Sequence, residues 1–310
     1  MYDTVFFRLS QDAVNGVDFL TEIPRLLSNV GEHCYKGFLF ITGELDGLKV
    51  TANSCQVRVK DGSLCKYLLG DNFQTMGRRD TQRAMEKLSD ALHLPMGKAI
   101  VTRMDVAQNF IVKYPPEVYI NHLGALRYAS RLQEPSGLYY SLNGGRLCFY
   151  DKNREQKSKH GEIPDLFIGR NVLRYERRYT KRITAKFGVE VTGEMLYDEA
   201  FYMGVLNKWK ADYQAIQKIN DISINFQAMK TKKQLYKMGV LSLVEQAGGQ
   251  VEMINQINEA LQRGELDKKQ AFDLRAAVND ACDLKVGLTS PNDAIQELDK
   301  KVAEAVRCYR

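Results

Sequence analysis

Nowhere does this chain approach the run of roughly 18 apolar residues that a membrane-spanning helix needs. Its first ten residues, MYDTVFFRLS, include an acid and an arginine and lack the apolar stretch of a signal peptide. The expectation is a protein that is neither exported nor embedded in a membrane. The six cysteines, Cys34, Cys55, Cys65, Cys148, Cys282 and Cys308, are scattered with no Cys-x-x-Cys pair. That removes the signal for a zinc site or a disulfide framework and fits a reduced cytoplasm. There is no repeat of fixed period and no low-complexity tract.

What is present is a chain of 310 residues, 44% hydrophobic, with a formal charge of +6. This is enough to bury a real core and suggests two domains, because single cores seldom grow far beyond about 250 residues. A modest positive excess points to a polyanionic partner only if it is concentrated. Here it is: twelve lysines and arginines fall between Arg146 and Lys186, against five acids.

Strand-like alternation marks Thr4–Leu9, and Val17–Val30 reads as a short helix interrupted near Pro24. From Gly37 to Leu69 the runs FLFIT, LKVTA, CQVRV and CKYLL are separated by turn residues, the punctuation of an antiparallel meander. Asp80–Leu92 has helical spacing behind a polar cap, and residues 99–112 form a long strand. A helix from Pro116 places Tyr119, Leu123 and Leu126 on one face. Residues 138–150 read as a hairpin around Asn143-Gly144-Gly145, and NVLRYERRY (171–179) as the next strand. Beyond about Leu196 the pattern turns helical, over Glu199–Lys218, Thr231–Gln246, Val251–Arg263, Lys268–Cys282 and Asp293–Cys308. The breaks lie at Gly248-Gly249, at Gly264 and around Gly287–Pro291. The expected fold class is α+β: an antiparallel sheet with helices on one face over residues 1–195, then a smaller all-helical domain over 196–310.

The stretch LCFYDKNRE (147–155) ends a strand on a tyrosine and leads at once into Lys152 and Glu155. Sixteen tyrosines occur in the chain, so a tyrosine alone signals nothing. Its neighbours carry the interest. Side chains on a strand alternate, so Arg103, Asp105, Ala107 and Val101 share one face, and Val172, Arg174, Glu176 and Arg178 share another. Taken singly, Arg103–Asp105 and Arg174–Glu176 read as ordinary cross-strand ion pairs.

Together these stretches resemble a known family. The MYDTVFFRL-type start, LGDN (69–72), R-x-D in a strand (Arg103, Asp105), FYDKNRE (149–155) and LRYERR (173–178) look, in that order, like the rolling-circle replication initiators of filamentous phages and small plasmids. In the phage gene II type the nicking tyrosine opens a Y-x-K-x-x-E motif, which Tyr150, Lys152 and Glu155 match. Tyr139 and Tyr140, on the partner strand of the hairpin, are the alternative nucleophiles. The wider superfamily binds its metal through a His-hydrophobic-His pair, and the four histidines here offer none.

The chemistry agrees with the resemblance. A phenol of pKa near 10 needs nearby positive charge or a base to attack phosphate, and Lys152 is the expected source. Asp105 and Glu176 are the expected ligands of Mg²⁺ or Mn²⁺, with Glu155 as a third ligand or base. Arg103 and Arg174 would position phosphate, and Arg177, Arg178, Lys181 and Arg182 would track the DNA backbone. The implied activity is origin nicking through a 5′-phosphotyrosyl intermediate, followed by religation. The implied partners are single-stranded, hairpin or duplex origin DNA, a host helicase and polymerase, and a second copy as homodimer, all in a bacterial cytoplasm. The meander loops or the helical domain would read bases. A non-catalytic DNA-binding initiator and a plasmid mobilisation relaxase are the rival readings.

Overall fold

In the first strand, Val5, Phe7 and Leu9 are buried while Phe6 and Arg8 are only partly covered, so one face of the sheet starts as core and the other as surface. The computed structural model describes residues 1–14, 16–219, 221–222, 230–283, 289–290 and 292–309. Ten strands form one antiparallel sheet: β1 (Tyr2–Ser10), β2 (Ser28–Tyr35), β3 (Phe38–Leu45), β4 (Leu48–Ala52), β5 (Gln56–Lys60), β6 (Ile100–Val112), β7 (Ser130–Glu134), β8 (Gly137–Leu142), β9 (Gly145–Asp151) and β10 (Asn171–Tyr179). Their order is β2-β3-β4-β5-β1-β6-β10-β9-β8-β7. The long β6 and β10 therefore lie in the middle, with a meander on either side.

The helices are α1 (Phe19–Glu22), α2 (Leu64–Leu69), α3 (Arg78–Leu92), α4 (Pro116–Asn121), α5 (Lys152–Ser158), α6 (Ile183–Phe187), α7 (Glu199–Gln214), α8 (Lys232–Gln246), α9 (Gln250–Gln262), α10 (Lys268–Cys282) and α11 (Asp293–Cys308). Helices α3, α4, α7 and α11 contribute to the core on one side of the sheet. There Tyr175 of β10 stacks between Phe149 and Trp209, each 4.6 Å away centroid to centroid, and its hydroxyl donates to the Trp209 carbonyl. Tyr213 of α7 donates to Asp299 of α11 at 2.7 Å, tying the two helices together.

Helices α8, α9 and α10 instead share a small cluster of their own, built on Val244, Ile257, Ala271 and Val278. The α+β class with a helical C-terminal part is as expected. Within that part, α7 and α11 belong to the core of the sheet.

Several elements differ from the sequence reading. CKYLL is helix α2 rather than a strand, because the Ser63 hydroxyl accepts from the Lys66 amide and caps a turn that buries Leu64, Cys65 and Tyr67. The helix expected over 17–30 ends as a 3-10 turn at Leu26, and Ser28 already starts β2. Helix α4 stops at Asn121, yet Leu123 and Leu126 are buried in the loop that follows. The outermost strands, β2 and β7, were not legible: all of β2 is exposed, so no burial pattern is imprinted on it. The break around Gly287–Pro291 lies mostly outside the described residues.

Candidate active site

The register of the central strands assembles the site. Arg174 of β10 pairs with Tyr150 on one side and Asn109 on the other, and Arg178 pairs with Asp105. Residues opposite one another point to the same face, so Tyr150, Arg174, Glu176, Arg178, Asp105 and Asn109 converge on the side away from Trp209. Irregular register between Tyr2 and Val5 interrupts β1 beside them, and Asp3 in that interval reaches Arg174. A second shift, between Phe6 and Phe7, places Val101 opposite buried Phe7. Val101 therefore leaves the face it was expected to share with Arg103 and Asp105.

The Tyr150 hydroxyl donates to Oε2 of Glu176 at 3.0 Å, and the residue is only 9% exposed. Burial pushes the phenol well above its ordinary pKa, while the Arg174 guanidinium pulls it back. Glu176 is itself buried, which would neutralise it, but Arg174 and Arg178 hold it firmly ionised and below the usual carboxylate range. Nε of Arg178 lies 2.9 Å from Oε1. Arg174 is fully enclosed, donating to Asp3, to the Asn72 carbonyl at 3.2 Å, to Oδ1 of Asn109 at 3.2 Å and to Glu176 at 3.5 Å. Asp105 is buried against an Arg103 fork, and burial together with the nearby Glu176 charge raises its pKa.

Asp151, the last residue of β9, settles why the strand stops there. Its carboxylate accepts from the Arg154 amide at 3.0 Å, capping α5, so Lys152 opens a helix instead of continuing the strand. Lys152 and Glu155 then stand one turn apart, with Nζ 2.7 Å from Oε2, and Lys159 holds the other carboxylate oxygen. The Lys152 ammonium is buried over the Phe73 ring and its pKa is lowered, first by burial and then by Arg174. The cation foremost in lowering the Tyr150 phenol is thus Arg174, where the sequence had suggested Lys152. Tyr150 lies in a cleft of about 290 Å³ shared with Ser136, Tyr139, Arg154, Glu155, Lys159 and Arg178. Across the ladder stands Gly137, where a Cβ would come within 2.5 Å of the Phe149 carbonyl and 2.9 Å of the Tyr150 Cβ.

The remaining sequence candidates separate. Tyr139 lines the cleft, whereas Tyr140 points to the core and donates to the Leu123 and Gly124 carbonyls at 3.1 and 2.6 Å. Arg103 sits beside Asp105 with its guanidinium over Phe6. Arg177, expected on the DNA, faces the opposite side, 2% exposed and paired with Asp212 of α7 at 2.7 Å. Strand alternation alone implies this, since Arg177 lies between Glu176 and Arg178. Lys181 and Arg182 are exposed at the turn beside Gly144. That turn is about five residues of strand from the level of Tyr150, roughly 17 Å. Sequence reasoning gave no role to Asp3, Asn72 and Asn109; the only signal for the first two was their presence in the MYDT and LGDN stretches.

Among the described residues, no three histidine, cysteine, aspartate or glutamate side chains form a group that could hold a metal ion. Asp105 and Glu176 lie near enough for the Glu176 charge to raise the Asp105 pKa, and both offer oxygen donors of the kind that hard cations take.

The family model for the N-terminal part of the replication-associated gene II protein matches residues 1–198. The chain belongs to this family, that of rolling-circle replication initiators of the filamentous-phage gene II type. A comparison with curated proteins finds no match.

Proposed function

We propose that this member of the gene II replication-protein family nicks origin DNA with Tyr150 and reseals it by the reverse reaction. The observation that carries the reading is the Tyr150 hydroxyl hydrogen-bonded to a buried carboxylate that two arginines keep ionised, in a basic cleft. In the forward step the phenolic oxygen, oriented by its hydrogen bond to the ionised Glu176 carboxylate, forms a bond to the scissile phosphorus while its proton passes to solvent in the open cleft. The bond from phosphorus to the 3′ oxygen breaks, and that oxygen takes a proton from the Lys152–Glu155–Lys159 chain at the cleft wall. The 5′ phosphate stays on Tyr150 as an ester, which conserves bond energy, so attack by a 3′ hydroxyl restores the DNA without ATP. Arg178 and Arg154 face the cleft and would hold the non-bridging oxygens.

Asp105 and Glu176 would hold Mg²⁺ or Mn²⁺. Two carboxylates are a usual protein contribution for Mg²⁺, whose shell is otherwise filled by water and substrate phosphate. Such an ion would neutralise charge on the phosphate as it is attacked. The α8–α10 cluster is free of the core and would serve duplex origin recognition, self-association or docking of the host replication machinery.

The test is a covalent-adduct assay on origin DNA with Mg²⁺ or Mn²⁺. Tyr150→Phe should keep DNA binding and lose the adduct, and Tyr139→Phe should keep both. Loss of the adduct in Tyr139→Phe alone would move the nucleophile across the hairpin. No adduct with wild-type protein would favour a non-catalytic initiator, a reading that the closed ion pairs around Tyr150 also accommodate.

A further inference from the structure

The meander on the β2 side of the sheet carries charges that folding does not require. Lys49 stands directly opposite Lys60 across β4 and β5, and Arg58 directly opposite Arg8 across β5 and β1. Like charges facing each other across antiparallel strands weaken a sheet. Glu44, opposite Lys49, is the acid on these rows. Arg8 alternates with buried Phe7 and Leu9, and so shares a face with Phe6. Phe6 in turn lies against Arg103. The four cations therefore stand on the same face of the sheet as Asp105 and Tyr150.

Beyond them the face becomes aromatic. His33 and Phe40 are opposite one another and stack at 5.4 Å, and the next pair out, Tyr35 and Phe38, is 60% and 53% exposed. His33, Tyr35, Phe40, Lys49, Arg58 and Lys60 all line one concavity of about 570 Å³. Exposed rings beside a row of cations are the two components of a single-strand binding track: stacking platforms for bases and charges for the backbone.

We propose that this face binds single-stranded DNA that continues from the Tyr150 cleft. The proposal rests on the nicking reading for the source of the strand, and on the meander alone for its recognition. Counting strands at about 4.8 Å and residues at about 3.4 Å, Arg58 lies roughly 35 Å from Tyr150. That is about ten nucleotides at the B-form spacing of 3.4 Å per strand. A strand opened at the nick is thus held on the protein and kept from re-annealing while the 3′ end is used.

The test uses the full chain and fluorescence anisotropy across a salt series. The probes are a labelled thymidine oligomer of about 20 nucleotides and a duplex of the same length. Lys49→Ala/Arg58→Ala/Lys60→Ala should lower the salt slope for the oligomer by about two. Tyr35→Ser/Phe38→Ser should weaken oligomer binding about tenfold or more, with the slope unchanged and duplex affinity within about twofold. Unchanged oligomer affinity in either variant overturns the proposal. So does a change from dimer to monomer in Tyr35→Ser/Phe38→Ser without loss of oligomer binding, which would assign the rings to self-association. Wild-type protein that binds as described yet forms no covalent adduct sinks the nicking reading and leaves this one standing. Adduct formation with unaltered binding in both variants does the reverse.

Discussion

Oε2 of Glu176 accepts the Tyr150 hydroxyl at 3.0 Å and lies 3.5 Å from Nε of Arg174. One carboxylate oxygen therefore orients the phenol and neutralises the buried guanidinium beneath it. In the free protein this arrangement keeps the phenol protonated at neutral pH. Under the proposed nicking reaction, Tyr150 would rest until a phosphate enters and takes over part of the arginine charge.

Glu176→Gln preserves the shape of the side chain but leaves Arg174 and Arg178 without their shared anion. Removing one partner of a buried pair costs about 3–5 kcal/mol, and urea unfolding should show a loss of this size. Adduct formation should vanish even at temperatures where the variant is folded. A variant as stable as the parent would mean that Asp3 alone suffices for Arg174.

Arg177 and Arg178 are adjacent but should behave as opposites. Arg177→Ala should lose about 3 kcal/mol or more of stability by stranding Asp212, with the salt dependence of DNA binding unchanged. Arg178→Ala should reduce the salt slope and nicking. Equal loss of DNA affinity in the two variants would contradict the facing described for β10.

Tyr140→Phe removes a hydroxyl that satisfies two loop carbonyls. Stability should fall by about 1–2 kcal/mol in chemical denaturation, with full nicking activity once folded. An inactive but stable Tyr140→Phe protein would show that the hairpin turns its other face to the DNA.

Lys218 donates to the Tyr213 and Ile216 carbonyls at the end of α7, and burial, opposed by Asp299, lowers its pKa from 10.5 to about 8. Between those two values the unfolded chain holds a proton that the native state has released. Stability should therefore rise with pH across that window. In Lys218→Met this contribution should be absent, and parallel stability curves for the two proteins from about pH 8 to 10.5 would refute it.

Cutting the chain near Leu196 removes α7 and α11 and uncovers Phe149 and Tyr175, so that fragment should be insoluble or molten by near-UV circular dichroism. Replacing residues 230–283 by a short linker should instead leave a folded protein that still nicks. If the short fragment folds and the internal deletion does not, the helices have been assigned to the wrong cores.

The sheet and the Tyr150 strand were legible because turn residues punctuate them and because buried and half-exposed side chains alternate where one face packs into the core, as from Val5 to Leu9. Edge strands β2 and β7 bury too little to leave that pattern. The carboxylate pair Asp105 and Glu176 could be read from strand parity, but its cage could not. Asp3, Asn72 and Asn109 reach Arg174 through an irregular β1 and a loop, and neither has a periodicity. Arg177 was misplaced for a different reason: charge density was weighed above alternation, which already turned it inward.

Helix α11 lies in the core that backs the sheet, about 290 residues further along the chain than Asp3 of the candidate site. At about 5–20 residues per second, the ribosome needs some 15–60 s to join the two. Throughout that interval the strands exist without the helix that covers them. A chain whose α11 has not yet been made therefore has no complete core behind the Tyr150 cleft, and any activity proposed for that cleft waits for the helix.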